Sequence, residues 1–273
     1  MEQITVTFFG VRGSSPSFKA NAKYGVNTSC TLVEFGDTAI VFDCGSGAYL
    51  LNEYLNKSTS VQKVHMLLSH MHLDHIMGFP CFEAFNNKSL SINVYGEKRG
   101  GLSLREQLEK LLLPPFWPVG LEVFAGKPQI NSFDKYESFD ISDDIHVDTM
   151  ESNHPNDSTV FRVKIGSKTI VYALDFEHSE KALPEIIEFA RDCDLLIYDA
   201  AYTQDMYSTR VGWGHSTWEV GKKVSEASGA KYTAFSHFAY SLSDEELDSE
   251  MKRVGLEKSD TCFPAREGMV LKI

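Results

Sequence analysis

The order of strand and helix patterns predicts an α/β fold in which two sheets pack face to face between outer helices. Candidate strands fall into two groups, one in each half of the chain, and candidate helices lie between them. No segment repeats, and no linker rich in proline, glycine or serine divides the sequence. We therefore expect the 273 residues to form one domain, 1–273, since sandwiches of this length commonly share a single core.

Apolar patterns predict the elements of the first half. Residues 4–9 alternate as a half-buried strand does, and a loop rich in glycine, serine, proline and asparagine follows at 10–28. A hairpin is predicted at 31–42, because two apolar runs flank the turn pair Gly36-Asp37. The continuous apolar run 64–68 indicates a buried strand. Similar patterns predict a helix up to residue 55, a short helix over 77–85, a strand at 92–95 and a helix over 102–113 that ends at Pro114-Pro115.

The second half begins with strands and continues with alternating helices and strands. The strands are predicted at about 129–133, 144–150, 159–165, 168–173, 195–198, 231–235 and 269–272. Helices are predicted over 183–190 and 217–228, the second with Ser216 or His215 near its N-cap. A further helix is predicted to open at Ser243, because Ser243 and Glu246 form a capping-box pattern.

Composition and charge limit the class of protein. Hydrophobic residues make up 42% of the chain and charged residues 23%, which are ordinary values for a globular protein. The formal net charge of −12 disfavours a binder of long nucleic acid, because such proteins usually carry a basic stripe. Five widely spaced cysteines without a C-x-x-C pair are typical of thiols in a reducing compartment. With no signal region and no bilayer-spanning apolar run, we expect a cytoplasmic protein with no membrane partner.

A histidine-rich segment directly follows the predicted buried strand. It reads Ser69-His70-Met71-His72-Leu73-Asp74-His75, with three imidazoles and one carboxylate within six residues. Residues two apart in an extended segment point to the same side, so His70 and His72 can bind one metal ion together. Asp74 and His75 lie further along and can face a second ion. Packing poorly explains such a concentration of imidazoles, so the segment predicts a metal centre with neutral histidine ligands.

Three further candidate ligands lie at the ends of predicted strands. His154 stands in Asn153-His154-Pro155, Asp175 follows the strand 168–173, and His237 follows the strand 231–235. A lone histidine at a strand end is more often a plain surface residue, but three such residues after the histidine-rich segment favour a shared site. Imidazole and carboxylate ligands suit zinc, manganese or iron, and we expect two divalent ions, with zinc as the default.

Residues 70–75 match the H-x-H-x-D-H motif of the metallo-β-lactamase superfamily, and nearly the whole chain resembles that family. The resemblance implies an αββα sandwich of two mixed sheets with outer helices and a site at one edge. It implies that Asp175 bridges the two ions and that Asp43, in Phe42-Asp43-Cys44-Gly45, orients a ligand imidazole. The remaining ligands implied by the resemblance are His70, His72 and His154 for the first ion, and Asp74, His75 and His237 for the second.

A second motif, Gly214-His215-Ser216-Thr217, stands at the start of the predicted helix 217–228. It resembles the G-H-S-T motif of the phosphodiesterase branch of the superfamily, which includes ribonuclease Z and cyclic-nucleotide phosphodiesterase-like proteins. The resemblance implies that His215 contacts the scissile phosphate and that Asp199, in Tyr198-Asp199-Ala200-Ala201, pairs with it. A histidine at a helix N-terminus adds a donor where the helix dipole already favours an anion. An ordinary helix cap is the alternative interpretation of His215.

Two N-terminal segments and one internal segment also resemble this branch. We expect the loops 10–16 and 25–30 to shape the rim of the site, although plain turn chemistry explains them equally well, and Arg12 is a candidate phosphate contact. The stretch at about 101–125 is predicted to be an insert. We hypothesise that Phe116 and Trp117 within it cover the site and stack on a base; a core-packing or dimer-contact loop is the alternative.

The main departure from ribonuclease Z is the lack of room for the long basic arm with which that enzyme grips tRNA. His154 and Asp175 are 175 − 154 = 21 positions apart, and two predicted strands fill the interval. We therefore predict a two-metal hydrolase of a small phosphodiester, with a cyclic nucleotide as one candidate substrate and a metal-bridging hydroxide as nucleophile. Either His215, supported by Asp199, or Asp74 passes a proton to the leaving oxygen.

Three other functions stay open. A carboxylic ester, lactone or thioester hydrolase on the same metals is disfavoured by the His215–Asp199 pair. A tRNA 3′-processing nuclease is disfavoured by the missing arm and the acidic charge, and we expect no long nucleic acid as partner. A non-catalytic metal-binding sensor is disfavoured by the complete set of seven ligands. Homodimers are common in the branch, and the sequence leaves the oligomeric state open.

Overall fold

The computed structural model describes residues 3–19 and 22–273, so residues 1–2 of the predicted domain lie outside the described part, as do residues 20–21. Strands lie at β1 (Thr5–Gly10), β2 (Arg12–Gly13), β3 (Cys30–Phe35), β4 (Thr38–Phe42), β5 (Lys63–Leu68), β6 (Ser91–Glu97), β7 (Gln129–Phe133), β8 (Phe139–Ser142), β9 (Ile145–Ser152), β10 (Ser158–Ile165), β11 (Lys168–Ala173), β12 (Leu195–Asp199), β13 (Tyr232–Ser236), β14 (Phe238–Ala239), β15 (Cys262–Pro264) and β16 (Val270–Lys272). Helices lie at α1 (Ala48–Lys57), α2 (Leu73–Ile76), α3 (Leu104–Leu111), α4 (Ala182–Phe189), α5 (Gln204–Ser208), α6 (Trp218–Ser228) and α7 (Asp244–Arg253).

Two seven-stranded sheets form the body of the molecule. The first has the order β16-β1-β3-β4-β5-β6-β7, antiparallel from β16 to β4 and parallel from β4 to β7. The second has the order β15-β13-β12-β11-β10-β9-β8, antiparallel from β8 to β11 and parallel from β11 to β15. Two mixed sheets with helices on the outside confirm the predicted fold class.

Side chains of β4 show how alternation builds two layers. Ile40 and Phe42 belong to the core between the sheets, and Phe42 stacks on Tyr172 of the second sheet with ring centroids 4.7 Å apart. Ala39 and Val41 point the other way, into the core under α1 and α3. Burying one such side chain is worth about 1.5–3 kcal/mol, so a one-residue slip of β4 would expose apolar groups on both faces.

The predicted elements are largely present, and the differences have local causes. The hairpin 31–42 forms as expected, with Gly36 at φ 58° in its turn. The helix expected over 77–85 is wrong: a helical turn instead begins inside the histidine-rich segment as α2, and 3₁₀ turns follow at Phe79–Cys81 and Glu83–Asn86 because Pro80 lacks the amide for a continuous helix. The sequence patterns also missed several short elements, which are β2, β8, β14, β15 and α5.

The stretch proposed as an insert leads from β6 to β7. It contains α3, whose N-cap Ser103 forms a capping box with Glu106, and a 3₁₀ turn at Leu121–Val123. Leu104 and Leu108 of α3 are fully buried against the first sheet. Among the described residues, no helix has the length and apolar character needed to cross a membrane.

Candidate metal centre

The candidate ligands are carried by strand ends at one edge of the sandwich. The parallel strands β4 and β5 end there in the first sheet, as do β11, β12 and β13 in the second. Side chains at the carboxyl ends of parallel strands lie side by side, and such edges are common ligand sites. Asp175 follows β11, Asp199 ends β12 and His237 follows β13, so residues far apart in the sequence meet here.

Three strand-end residues have a left-handed backbone. The φ angles are 56° at Asp43, 53° at Asp175 and 66° at His237. A side chain other than glycine rarely adopts such angles, and each instance costs of order 1–3 kcal/mol. The surrounding sheets impose these conformations, and strain of this kind concentrates at functional sites. The three outliers therefore support a site at this edge independently of the ligand types.

The first ligand group combines three imidazoles with one carboxylate. Nε2 of His154 lies 3.1 Å from Nδ1 of His72 and 3.5 Å from Oδ1 of Asp175. Nε2 of His70 lies 3.9 Å from the same carboxylate oxygen. One ligand atom from each member lies within 4.8 Å of all the others, which is the spacing of a shared cation; the first ligand group is His70, His72, His154 and Asp175.

The second ligand group is Asp74, His75 and His237. Nε2 of His75 and Nε2 of His237 are 3.1 Å apart, and each is 3.2 Å from Oδ2 of Asp74. Asp175 reaches this group through its other oxygen: Oδ2 is 2.8 Å from His75 Nε2 and 3.1 Å from His237 Nε2. Asp175 thus faces one group with Oδ1 and the other with Oδ2, which is the position predicted for a bridging ligand.

Proton positions explain why a cation fits these groups. Nδ1 of His75 is 2.7 Å from Asp43 Oδ2 and donates to it, so in the neutral form of the ring Nε2 presents a lone pair to the oxygens of Asp74 and Asp175, and either a proton or a metal ion on Nε2 would relieve that arrangement. Nδ1 of His154 donates to the carbonyl of Gly214 at 2.9 Å, so its Nε2 also presents a lone pair. Buried acceptors that face one another are costly unless a cation lies between them. This donor set of imidazoles and carboxylates fits zinc, manganese or iron.

The pKa values of the ligand histidines are shifted by burial and by the neighbouring charges. Burial, reinforced by the charge of a protonated His75, lowers the pKa of His70 well below its usual value, and burial lowers the pKa of His72 and His154. These three rings are therefore neutral, the form that binds metal. Burial also opposes protonation of His75, but the surrounding carboxylates outweigh it and raise its pKa. Positive charge is thus favoured where the carboxylates converge.

Asp43 holds the second ligand group in place from behind. It is fully buried, and besides His75 it accepts hydrogen bonds from the Ser69 backbone N–H at 2.7 Å, the Ser69 hydroxyl at 2.9 Å and the Tyr172 hydroxyl at 2.8 Å. Four donors on one carboxylate fix the orientation of the His75 ring and keep its Nε2 free for a metal. The orienting role predicted for Asp43 agrees with this geometry.

His215 and Asp199 meet beside both ligand groups. Nδ1 of His215 lies 2.9 Å from Oδ2 of Asp199, and both residues are buried. Burial alone would lower the pKa of His215, but the charge of Asp199 and its hydrogen bond outweigh burial and raise the pKa to about 9. The His215 ring is 5.3 Å from that of His154 and 5.1 Å from that of His237.

The cap of α6 is Thr217, whose hydroxyl accepts from the Val220 backbone N–H. Ser216 and His215 thus lie just before the N-cap, near the position predicted, and His215 itself is not an ordinary helix cap. Asp175, His215 and His237 are also close enough to share a cation, but Nδ1 of His215 is already bound by Asp199. His215 is thus better placed to meet a substrate than to hold a metal.

Glu177 and the close approach at Gly214 were not predicted from the sequence. Glu177 is buried, and it accepts from the backbone N–H groups of Gly212 at 2.6 Å and Gly214 at 2.7 Å and from the Tyr207 hydroxyl at 3.2 Å. Gly214 has φ 87°, and a Cβ there would lie 2.1 Å from Nδ1 of His154. Only glycine lets its carbonyl orient His154. The strand-end position of Glu177, two residues after Asp175, was the available signal.

The N-terminal loop contributes backbone to the site, while Arg12 does not. The Ser14 backbone N–H donates to Oδ2 of Asp74 at 2.8 Å, which fits the expected rim. Arg12 has no exposed surface; its Nε donates to the Gly25 carbonyl and its Nη1 to the Leu242 carbonyl. The prediction of a phosphate contact is therefore wrong, because β2 pairs with β14 and directs this side chain into the protein.

Phe116 and Trp117 do not reach the ligands. Phe116 is 85% exposed, and Trp117 packs on the core under the first sheet. The described lining of the cleft above the ligands comes from other segments, including residues 202–215 and 239–241. The hypothesis that the two rings cover the site is thus wrong, because Trp117 packs on the outer face of the first sheet instead.

Comparison with known proteins agrees with this architecture. The family model of a beta-lactamase superfamily domain matches residues 38–238. The chain is similar to the ribonuclease Z of Haloarcula marismortui, at 22% identity over 90% of each chain. It is also similar to the probable metallo-hydrolase YhfI of Bacillus subtilis, at 24% identity over 91% of this chain and 93% of that protein.

Solved structures share the fold at low sequence identity. The crystal structure of YhfI from Bacillus subtilis superposes with a TM-score of 0.75 and 22% identity, and the match covers 100% of both chains. A diphosphatase of the PhnP family superposes with a TM-score of 0.70 and 13% identity, over 99% of this chain and 97% of that one. The match to YhfI thus extends over the full length of both chains.

Proposed function

The chain belongs to the metallo-β-lactamase superfamily of metal-dependent hydrolases, and we propose that it cleaves small phosphodiesters with two bound divalent ions. The two ligand groups would hold the ions, with Asp175 between them. Bound there, the ions would supply Lewis acidity and lower the pKa of a water molecule. Zinc is the ion we expect, since three histidines in the first group and two in the second favour it.

The pairing of His215 with Asp199 is the observation that carries the proposal. With Nδ1 bound by Asp199, the remaining donor of the ring is Nε2, and the ring lies in the lining of the cleft. A positioned imidazolium can donate to a phosphate oxygen and stabilise the charge that develops there. Carboxylic esters and lactams develop charge on one oxygen only, whereas a phosphodiester offers an additional oxygen for such a donor.

Asp74 is the second residue with access to the reacting atoms. Its Oδ2 is fixed by the Ser14 backbone N–H and faces the second ligand group, so the carboxylate is held in one orientation. A proton for the leaving oxygen comes from His215 or passes through Asp74. The two residues differ in their contact with metal. Asp74→Asn should lower metal content, whereas His215→Ala should leave it intact.

Small substrates are favoured over tRNA by the interval between His154 and Asp175. The strands β10 and β11 and the short turns beside them occupy that interval, so it carries no additional arm. Curated relatives include ribonucleases Z, and tRNA 3′-processing therefore serves as the competing function in the experiment. A small phosphodiester is the partner we propose, with cyclic nucleotides among the candidates.

The test is turnover of bis(p-nitrophenyl) phosphate by zinc-loaded protein, measured beside p-nitrophenyl phosphate, p-nitrophenyl acetate, a β-lactam and a tRNA precursor. Chelator-sensitive cleavage of the diester, with little or no cleavage of the others, is the expected result. Activity on the acetate or the lactam alone would overturn the phosphodiesterase proposal and favour a carboxylic ester hydrolase. Preferred cleavage of the tRNA precursor would favour the nuclease.

A further inference from the structure

One side of the cleft is a separate segment with its own anchor. We call residues 203–214 the wall: it contains α5, capped by Thr203, and the loop that returns to Gly214. Its base is tied down by Glu177, which accepts hydrogen bonds from Gly212, Gly214 and Tyr207 of the wall. A backbone hydrogen bond from Trp213 to the Arg210 carbonyl closes the turn at its tip. The wall is therefore held in place before any substrate binds.

Arg210 is a cation without a carboxylate partner within residues 3–19 and 22–273. Its Nη1 donates to the Met206 carbonyl at 3.1 Å, and its guanidinium lies 5.4 Å from the Tyr202 ring centroid and 5.8 Å from that of Trp213. Aromatic rings hold the face of a guanidinium and leave its N–H edge available. In a chain of net charge −12, such a group at a cleft is suited to an anion on the ligand.

Apolar surface beside Arg210 adds a second requirement for the ligand. Trp213 is 59% exposed and Tyr240, from the segment after β14, is 47% exposed, and both line the same cleft. Exposed rings gathered around a concave site indicate a place where a flat group binds. The cleft has a volume of about 740 Å³, enough for a ligand much larger than one phosphate.

Arg210 and His215 contact the same ring, Tyr202, and do not contact each other among the described contacts. The Tyr202 ring lies edge-on to His215, with centroids 5.3 Å apart, and it also contacts the Arg210 guanidinium. One aromatic ring therefore separates the group that meets the scissile phosphate from the group that meets the second anion. A substrate that satisfies both must carry two anionic groups with an aromatic portion near them.

We propose that Arg210, Trp213 and Tyr240 form a subsite for a nucleotide portion of the substrate, in which the rings stack on the base and Arg210 binds a phosphate that is not cleaved. This inference rests on the proposed phosphodiesterase function and narrows its substrate to a nucleotidyl diester with an additional phosphate. The subsite selects and positions the substrate, while the ligand groups and His215 act at the scissile bond.

Three substrates with the same leaving group test the subsite step by step. Methyl p-nitrophenyl phosphate has neither feature, thymidine 5′-(p-nitrophenyl phosphate) adds a base, and its 3′-phosphate derivative adds the second anion. Wild-type kcat/KM should rise about tenfold at each step, because one base stack or one charged hydrogen bond is worth roughly that factor. We call the increase in kcat/KM caused by the base the first ratio and the increase caused by the 3′-phosphate the second ratio. Trp213→Ala should abolish the first ratio, and Arg210→Gln should abolish the second.

Matched variants and a binding measurement make each outcome decisive. Tyr136→Ala and Arg191→Gln change an exposed ring and an exposed arginine elsewhere and should preserve both ratios. By calorimetry, wild type should bind thymidine 3′,5′-bisphosphate about tenfold more tightly than thymidine 5′-monophosphate, and Arg210→Gln should remove that difference. If the protein cleaves diesters in a chelator-sensitive way but both ratios are unchanged in every variant, the subsite is wrong and the proposed function still holds. The binding difference without diester cleavage would overturn the function alone.

Discussion

The two sides of the cleft are held by different means. The floor, by which we mean the seven ligand residues, is built from segments that follow strands of both sheets and is mostly buried, with His72 partly exposed. The wall is a loop fastened through one carboxylate, Glu177, and its tip is exposed. In the floor, acceptors crowd one another and need a cation; in the wall, the Arg210 guanidinium is held by aromatic rings and by no carboxylate among the described residues, and the Trp213 ring is exposed. The floor is thus suited to fixed chemistry, and the wall to the choice of substrate.

This difference has an energetic origin. Moving a floor residue disturbs sheet hydrogen bonds and left-handed backbone that the whole core imposes. Changing an exposed residue of the wall disturbs few contacts and is usually worth less than 0.5 kcal/mol of stability. Substitutions in the wall can therefore change substrate preference without loss of the fold. Substitution of a single ligand residue, by contrast, disturbs both the metal centre and the sheets around it.

The largest effect is expected at the centre of the floor. Asp175→Asn removes the charge that both ligand groups share, so bound metal should fall below two ions per chain and diester hydrolysis should fall about 10³-fold. Metal analysis and initial rates measure this. The matched control is Asp194→Asn, a strand-adjacent aspartate that binds Lys168 and Thr169 away from the cleft. Two retained ions with normal rates would contradict the bridging position.

The next effect concerns the junction of floor and wall. His215→Ala should lower kcat about 10²- to 10⁴-fold while both ions stay bound, because a proton donor is lost and no ligand is removed. His146→Ala, an exposed histidine paired with Asp140, is the control and should have normal kcat. A loss of metal equal to the loss of rate would show that His215 acts as a ligand instead.

A smaller effect, on metal affinity, is expected at Asp43, which supports the floor from behind. Asp43→Asn keeps a residue type that tolerates positive φ but removes the charge that orients His75, so metal affinity should weaken about 10- to 100-fold. Competition with a chelator measures the affinity. Tyr172→Phe removes one donor to Asp43 and leaves its charge, so it should weaken affinity much less. Equal effects of the two variants would indicate a loss of packing only.

The wall should respond separately. Glu177→Gln replaces an oxygen that accepts from backbone amides with an amide that cannot, so the free energy of unfolding should fall by about 1–3 kcal/mol. The KM for the thymidine substrates should rise, with metal content unchanged, because the wall loses its anchor. Chemical denaturation and steady-state kinetics are the measurements, with Glu180→Gln at an exposed neighbouring position as the control. Loss of metal in this variant would mean that floor and wall are not separable.

The smallest effect is expected outside both regions. Phe116→Ala should leave KM for every diester unchanged and alter stability by less than about 0.5 kcal/mol, because the ring is 85% exposed and lies outside the cleft lining. Leu108→Ala in α3, by contrast, should cost about 2–5 kcal/mol as a buried core change. A raised KM in Phe116→Ala would show that the segment closes over the substrate.

The floor was predictable from the sequence, and the wall was not. Histidines two residues apart after a buried strand indicate a metal site, since few other structural contexts place imidazoles in this pattern. Arg210 and Trp213 belong to no motif, and their meaning depends on a loop whose path is set by Glu177. Arg12 was predicted wrongly for a related reason, because a sequence does not reveal whether an arginine points outward or into the protein. Short elements such as β8 have little apolar pattern to detect.

The ligand arrangement also determines when the centre can form during synthesis. His75 and His237 come within 3.1 Å although they are 162 positions apart, and they belong to opposite sheets. A growing chain therefore cannot complete the second ligand group until His237 has left the ribosome and the two sheets have docked. Metal capture would therefore be a late event that depends on correct assembly, and the bound ions would then cross-link the first half of the chain to the second. Chelation should consequently lower the free energy of unfolding as well as stop catalysis.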